Sequence, residues 1–301
     1  MKRYRRRNKT VFENNAYIGA YADISFDITS DTEYGNESLH FDTRIHYYEK
    51  GEGEPLLLLH GLGQSLYTWR HNIDFFAENG FRVIAPDMPG FGYSGHVNIF
   101  YTVEENALAV RAFLDALRIK KTHIAGVSTG AICALCFAVA YPKRTDKLVL
   151  VTPGGPNENY PFLLRFLTTR MGEFMMHTFL REATLINVLR RFYFDATLLS
   201  GDVAAQYYEP YKNKEVRETL IRTVMHFDAE AARAALKTMQ KHVLIFTGTE
   251  DRLHQKEDMR VYPNTIRNAR HIQIRNCAQN VHEEKAERFN AESLAFLHKE
   301  S

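Results

Sequence analysis

The chain reads as an α/β protein: a mostly parallel central sheet flanked by helices, with a helical segment inserted late in the sheet. Three observations predict this. Short β-type runs recur along the chain, several of them continuously apolar; helical patterns separate them; and one long stretch, from Thr152 to about Phe227, offers no convincing strand. Continuous apolar runs suit strands covered on both faces, and strand–helix–strand alternation gives parallel strands joined by right-handed crossovers.

The strand-like runs are Ile45–Tyr48, Leu56–Leu59, Arg82–Ala85, Lys121–Gly126, Lys147–Val151, Val243–Thr247 and His271–Arg275. The clearest helix begins at Thr102. Val103, Ala107, Val110, Phe113, Leu114 and Leu117 fall on one face, and Thr102 with Glu105 spells a capping box. The strandless stretch is rich in Phe, Leu and Met, notably from Phe162 to Leu180, and is entered through Gly154, Gly155, Pro156 and Pro161. We expect residues 1–20 to form a basic, flexible arm, residues 21–153 and 228–301 the core domain, and residues 154–227 a helical cap over the end of the sheet. Phe166, Met171, Phe174 and Met175 are candidates for lining an apolar pocket or for holding the cap helices together.

At 301 residues and 45% hydrophobic content, the chain buries a full core as one large domain. Lys2, Arg3, Arg5, Arg6, Arg7 and Lys9 crowd the start; removing these six from a formal net charge of +2 leaves about −4 on the rest. No apolar segment follows them, so they do not read as a secretory signal, and a solvated arm is expected rather than a grip on membrane or nucleic acid. No run approaches the ~18 apolar residues of a membrane span. Cys133, Cys136 and Cys277 sit in apolar segments, which favours a reducing, cytoplasmic setting without disulfides. Cys133 and Cys136 lack a second ligand pair at zinc spacing, and nucleotide and flavin motifs are absent, so no metal or cofactor is expected.

Gly126-Val127-Ser128-Thr129-Gly130 lies between a β-type run and the small, apolar, helix-like run Ala131–Leu135. A serine at the apex of a tight strand-to-helix turn needs small neighbours, and the turn lifts its hydroxyl out of the sheet toward a carbonyl. Upstream, Leu56–Leu59 leads into His60-Gly61-Leu62-Gly63. The backbone N–H groups of Leu62 and Thr129 are the candidate oxyanion donors, and His60 reads as a structural ring bonding the loop backbone.

Those two segments, together with Asp87-Met88-Pro89-Gly90-Phe91-Gly92-Tyr93-Ser94-Gly95, resemble the α/β-hydrolase superfamily; Phe246-Thr247-Gly248-Thr249-Glu250-Asp251 is similar to the strand-end segment carrying its catalytic acid. The resemblance runs from Thr43 to Leu297, less closely in the cap. It implies Ser128 as nucleophile, followed in chain order by Asp251 and a histidine. The histidine is where the chain departs. Aligned on Asn276-Cys277 and on Glu284–Asn290, its position holds Gln279. A glutamine can bridge Ser128 and Asp251 by hydrogen bonds but accepts no proton at neutral pH. A serine triad without its base loses on the order of 10⁶ in turnover. His282, near the start of the closing helix, is the candidate substitute base, weighed against a local packing role, since its position shifts the ring most of a helical turn.

Three accounts of Gln279 stand: a deliberate replacement of the histidine, a natural loss of hydrolysis that leaves a binding or sensing protein, or chemistry needing no imidazole, such as elimination or cyclisation. The intact oxyanion loops favour an enzyme scaffold with one altered residue. Serine at 128, where dehalogenases and epoxide hydrolases carry aspartate, points to acyl transfer to water. The leading expectation is therefore a serine hydrolase cleaving an ester, thioester or lactone of a small, largely apolar acyl substrate beneath the cap. The alternatives are a carbon–carbon bond hydrolase of meta-cleavage-product type, and a catalytically silent ligand-binding, cyclase or lyase member of the fold. Glu287-Arg288-Phe289-Asn290 is similar to the carbon–carbon hydrolases, which usually place a methionine where this chain has Thr129.

Overall fold

The computed structural model describes residues 19–32, 35–154, 166–227, 229–252 and 256–299. Eight strands form its centre: β1 (Ala20–Thr32), β2 (Gly35–Lys50), β3 (Glu54–Leu59), β4 (Phe81–Pro86), β5 (Thr122–Val127), β6 (Thr145–Val151), β7 (Val243–Gly248) and β8 (Ala269–Ile274). They lie side by side in the order β1-β2-β4-β3-β5-β6-β7-β8. From β4 through β3 to β8 every pairing is parallel. Every residue of β5 and β7 is buried, as the continuous apolar runs require.

The first two strands correct the sequence reading, which began the sheet at Ile45. β1 and β2 form a long antiparallel hairpin, in register from Ala20 opposite Tyr47 to Thr32 opposite Gly35, and β2 joins β4 antiparallel. Ala22, Ile24 and Phe26 are buried while Tyr21, Asp23, Ser25 and Asp27 are exposed. That is the period-two pattern of a sheet with one wet face, not the continuous pattern of a covered strand. Residues 1–18 of the expected arm lie outside the described residues.

Helices α1 (Ile73–Glu78), α2 (Val103–Ala116) and α3 (Thr129–Ala140) connect the strands. The capping box of α2 forms as its sequence spells it: Glu105 N–H donates to Thr102 Oγ1 and Thr102 N–H to Glu105 Oε2. Between β6 and β7 the described residues form α4 (Arg170–Phe179), α5 (Glu182–Leu189), α6 (Gly201–Tyr208), α7 (Lys214–Met225) and α8 (Ala229–Thr238), with no strand among them. The first part of the Phe162–Leu180 run, with Gly155, Pro156 and Pro161, lies outside the described residues.

Here the structure overturns a second expectation. Met171, Phe174 and Met175 are 62%, 57% and 45% exposed, and only Phe166 of that set is half-buried. α4 rests on Gly172 and Met176, so its larger apolar side faces water rather than a pocket.

After β7 come α9 (Lys256–Thr265), β8, the short α10 (Val281–Glu284) and α11 (Ala286–Leu297). Lys147, in β6, reaches the end of α11. Its buried ammonium donates to the carbonyls of Leu297 (2.9 Å), Phe296 (3.4 Å) and Lys299. The last carbonyls of a helix have no intrahelical donor and carry the negative end of its dipole, so a cation there satisfies both. Replacing Lys147→Met keeps the stem and removes the donor; we expect a loss of about 1–3 kcal/mol in urea unfolding, and an unchanged midpoint would contradict this role.

Candidate active site

At the end of β5 the chain turns through Ser128 with φ 51° and ψ −119°, a left-handed conformation that costs a non-glycine residue about 1–3 kcal/mol. The neighbours make it possible. A Cβ on Gly130 would fall 2.3 Å from His60 O, and one on Gly126 would fall 2.5 Å from Gly130 O. Both positions are therefore closed to any side chain, and α3 starts pressed against β3 and β5. Ser128 N–H donates to Val151 O at 3.0 Å, which fixes the turn to β6.

The loop after β3 is set by two anchors. His60 is buried; one ring nitrogen bonds Gly61 O at 2.9 Å and the other accepts Met88 N–H at 2.8 Å, so its ring holds backbone, and burial lowers its pKa. Gln64 closes the loop, accepting Gly61 N–H on Oε1 (2.9 Å) and donating its own N–H to Gly61 O (3.1 Å). Beneath lies Asp87, buried at the end of β4. Its carboxylate takes Leu66 N–H (2.7 Å), Tyr93 N–H (3.0 Å) and His46 Nδ1 (2.8 Å). Ser94 Oγ donates to Asp87 O at 2.6 Å. The Asp87–Gly95 motif thus acts as the hub that positions the loop. Among the described residues neither Leu62 N–H nor Thr129 N–H has a partner, which leaves both available to a developing oxyanion.

Asp251 and Gln279 follow β7 and β8, at the same edge of the sheet as Ser128. Backbone contacts draw these segments together. Thr249 N–H donates to Ile274 O (2.9 Å) and Glu250 N–H to Cys277 O (2.9 Å). Thr152, the residue after Ser128's partner Val151, donates its N–H to Phe246 O (2.8 Å) and its hydroxyl to Gln279 O (3.0 Å). Asn280 Oδ1 accepts from Gln64 Nε2 at 3.3 Å. Gln279 is therefore held by its own carbonyl to Thr152, and its neighbour Asn280 is held to Gln64 in the loop after β3. Gln279 is only 7% exposed, and its side-chain amide has no partner among the described residues.

His282 stands apart from this group. It is fully buried, with Nε2 2.7 Å from Thr68 Oγ1 and its ring 4.5 Å from that of Trp69. Thr68 donates its hydrogen to Glu283 Oε1 (2.6 Å), so it accepts from His282, and the imidazole carries its proton on Nε2. Burial, reinforced by Arg70, pulls its pKa down to about 4 against the opposing pull of Glu283.

Two acids unmarked by any motif cross from this segment to the helices between β6 and β7. Glu283 pairs with buried Arg70 at 2.6 Å and accepts from Tyr207 of α6. Burial raises its carboxyl pKa, but Arg70, His282 and the hydrogen bonds from Thr68 and Tyr207 together outweigh this and the net shift is downward. Glu284 accepts Ala278 N–H (2.8 Å) on one oxygen, and Phe194 N–H (2.8 Å) and Asp195 N–H (3.2 Å) on the other. Its pKa is raised by burial. Consecutive glutamates in a first helical turn read only as dipole partners; nothing in the sequence shows that they reach across.

Among the described residues no group of His, Cys, Asp or Glu stands where it could hold a metal ion, and no helix is long and apolar enough to cross a membrane. A strained serine elbow, the N–H groups of Leu62 and Thr129, and the segments carrying Asp251 and Gln279 thus lie at one edge of the sheet. A family model described as alpha/beta hydrolase fold matches residues 54–286. The chain belongs to the α/β-hydrolase fold family. Within it, the chain is 30% identical over 275 residues to a 2-hydroxy-6-oxo-6-phenylhexa-2,4-dienoate hydrolase of Burkholderia cepacia, covering 84% of this chain and 91% of that protein. A 2-hydroxy-6-oxononadienedioate/2-hydroxy-6-oxononatrienedioate hydrolase of Burkholderia vietnamiensis is 30% identical over 272 residues, covering 85% and 91%. Among solved structures, a meta-cleavage product hydrolase from Pseudomonas fluorescens superposes with a TM-score of 0.74 at 25% identity, over 85% of this chain and 94% of that one.

Two outcomes test this α/β-hydrolase site. Gly130→Ala drives a methyl into the His60 and Leu59 carbonyls, so stability should fall by about 3 kcal/mol or more in chemical denaturation; a variant as stable as the parent would refute the close approach. The second concerns pH. The unfolded chain protonates position 282 near the ordinary histidine pKa of 6.5, the folded chain only near 4. This group's contribution is therefore complete above pH 6.5 and declines as pH falls toward 4, by roughly 3 kcal/mol in total. His71, lowered to about 4 by burial and then by Arg70, adds a loss of the same sign. His282→Gln should flatten the fall of the urea midpoint between pH 7 and pH 5; an equal slope in both proteins would contradict the assignment.

Proposed function

We propose that this chain is a carbon–carbon bond hydrolase scaffold of the meta-cleavage-product type, acting on a 2-hydroxy-6-oxo-2,4-dienoate. The Ser128 elbow carries the reading of a carbonyl-directed nucleophile. The substrate class rests on the relatives, whose names move the weight from ester cleavage to the carbon–carbon reading. In this scheme Ser128 Oγ adds to the ketone carbon, and the carbonyl oxygen becomes an oxyanion held by the N–H groups of Leu62 and Thr129. The 2-hydroxyl proton first moves to the carbon beside the ketone, giving the 2,6-dioxo form; collapse then breaks the bond from the ketone carbon to that carbon. The electron pair is delocalised as a dienolate, whose 2-oxygen takes up the proton lost by serine. Water then hydrolyses the acyl-enzyme to a carboxylic acid.

The serine proton needs a carrier. In the family that carrier is the histidine; here Gln279 holds the position, its carbonyl on the Thr152 hydroxyl, and Asp251 supplies the acid segment. Gln279 lends a hydrogen bond but no base, and we assign no base role to His282, whose Nε2 is committed to Thr68. The scaffold thus binds and polarises the ketone, with turnover limited by proton removal.

The test is turnover of a panel of 2-hydroxy-6-oxo-2,4-dienoates, followed by loss of their conjugated absorbance. Gln279→His should raise turnover by about 10³-fold or more, and Ser128→Ala in that background should abolish the gain. A Gln279→His protein no faster than the parent, or a gain that survives Ser128→Ala, would overturn the reading. The unpartnered Gln279 amide favours one second reading, a ligand-binding protein without turnover. It predicts dienoate binding by the parent that Ser128→Ala leaves unchanged, with no turnover in any of these proteins.

A further inference from the structure

The residues that lead into the parallel strands lie at the opposite edge of the sheet from Ser128. Along β5 the two edges are six residues apart, about 20 Å at roughly 3.3 Å per residue. At that far edge, where α2 ends and β5 and β6 begin, there is an open cleft of about 320 Å³. It is lined by Asp115, Arg118, Ile119, Lys120 and Arg144, three cations to one acid.

The end of α2 does not need those cations. Leu117 N–H donates to Phe113 O (3.1 Å), Arg118 N–H to Asp115 O (2.9 Å) and Ile119 N–H to Leu114 O (2.8 Å). This is the Schellman pattern, in which backbone donors take the last helical carbonyls. Its left-handed position favours glycine, yet Arg118 occupies it at φ 56°.

The fold also leaves the charge uncancelled. Asp115 is paired with Arg144 Nη2 at 2.7 Å, and the same nitrogen donates to Ile119 O at 2.8 Å. Arg118 and Lys120 are exposed and have no acidic partner among the described residues. Their neighbour Lys121 is already engaged with Asp146 at 3.0 Å. Arg144 Nε–H is buried without a partner among the described residues, which adds a donor dipole to the positive wall.

We infer that this cleft binds a phosphate dianion, either free or as the terminal group of a small organic phosphate. Its two uncompensated cations match the charge of a phosphate above its second pKa of about 6. Arg144, fixed by Asp115 and Ile119, adds positive charge at no further cost in side-chain freedom. The cleft equals the liquid volume of about ten waters at ~30 Å³ each, so a small carrier fits beside the phosphate. The site rests on no part of the catalytic reading.

The test is calorimetric titration of the full chain with inorganic phosphate and with glycerol 3-phosphate, at about pH 7.5 and roughly 0.15 M salt. At least one should bind with a Kd of about 5 mM or tighter. Tighter binding of glycerol 3-phosphate assigns the site to a carried phosphate, and equal or tighter binding of inorganic phosphate assigns it to the free ion. Arg118→Gly removes a cation while suiting the left-handed backbone, so the variant folds; it should weaken binding roughly fivefold, as should Lys120→Gln. Lys143→Ala removes an exposed cation that precedes β6 but does not line the cleft, and should change the Kd by less than about twofold. Absence of binding by both compounds, an unchanged Kd in Arg118→Gly, or an equal loss in Lys143→Ala would overturn the site. The last of these would mean diffuse attraction to a positive edge.

Discussion

The turn at Ser128 exists because two glycines allow three stretches of backbone to meet with no side chain between them. β5 ends, α3 begins, and the carbonyls of Leu59 and His60 occupy the space a Cβ on Gly130 would need. Everything reactive in the proposed site inherits its position from that contact. It places Ser128 at the end of β5 and sets the loop from β3 against the start of α3. The strain at Ser128 is sustained by the hydrogen bond to Val151 and the dense packing of β3, β5 and β6, whose apolar residues are almost wholly removed from water.

Around that turn the architecture is a sequence of ties between strand ends. Asp87 gathers backbone donors from two loops and the imidazole of His46. Thr152 joins the elbow's partner strand to β7 and to Gln279. Gln64 joins the loop after β3 to Asn280. Each is a polar group placed where strands stop and backbone would otherwise lack partners, so the same contacts that satisfy the fold also bring residues distant in sequence together.

Much of this was legible before any coordinates. The glycine spacing around Ser128, the apolar run before His60 and the Asp87–Gly95 stretch each have local physical meanings that survive in the structure. The capping box at Thr102 does as well. β1 and the first part of β2 escaped because a half-wet strand writes its signal on alternate residues such as Ala22, Ile24 and Phe26 rather than on a continuous apolar run. The exposed side of α4 escaped for another reason: amphipathicity shows that a helix has an apolar side, not which side the protein covers. The roles of Glu283, Glu284 and Thr152 are tertiary. Two glutamates at a helix start look the same whether they meet water or a helix inserted far earlier in the chain.

Glu284 bridges two parts of the chain that lie far apart in sequence. One of its oxygens holds the residue before Gln279 and the other holds the backbone at Phe194 and Asp195, while Glu283 next door grips Tyr207. The segment presenting position 279 and the helical insertion are thereby riveted into one unit. A displacement of the chain at Phe194 or Asp195 is therefore felt at Ala278, so the helices between β6 and β7 and position 279 cannot be adjusted one without the other.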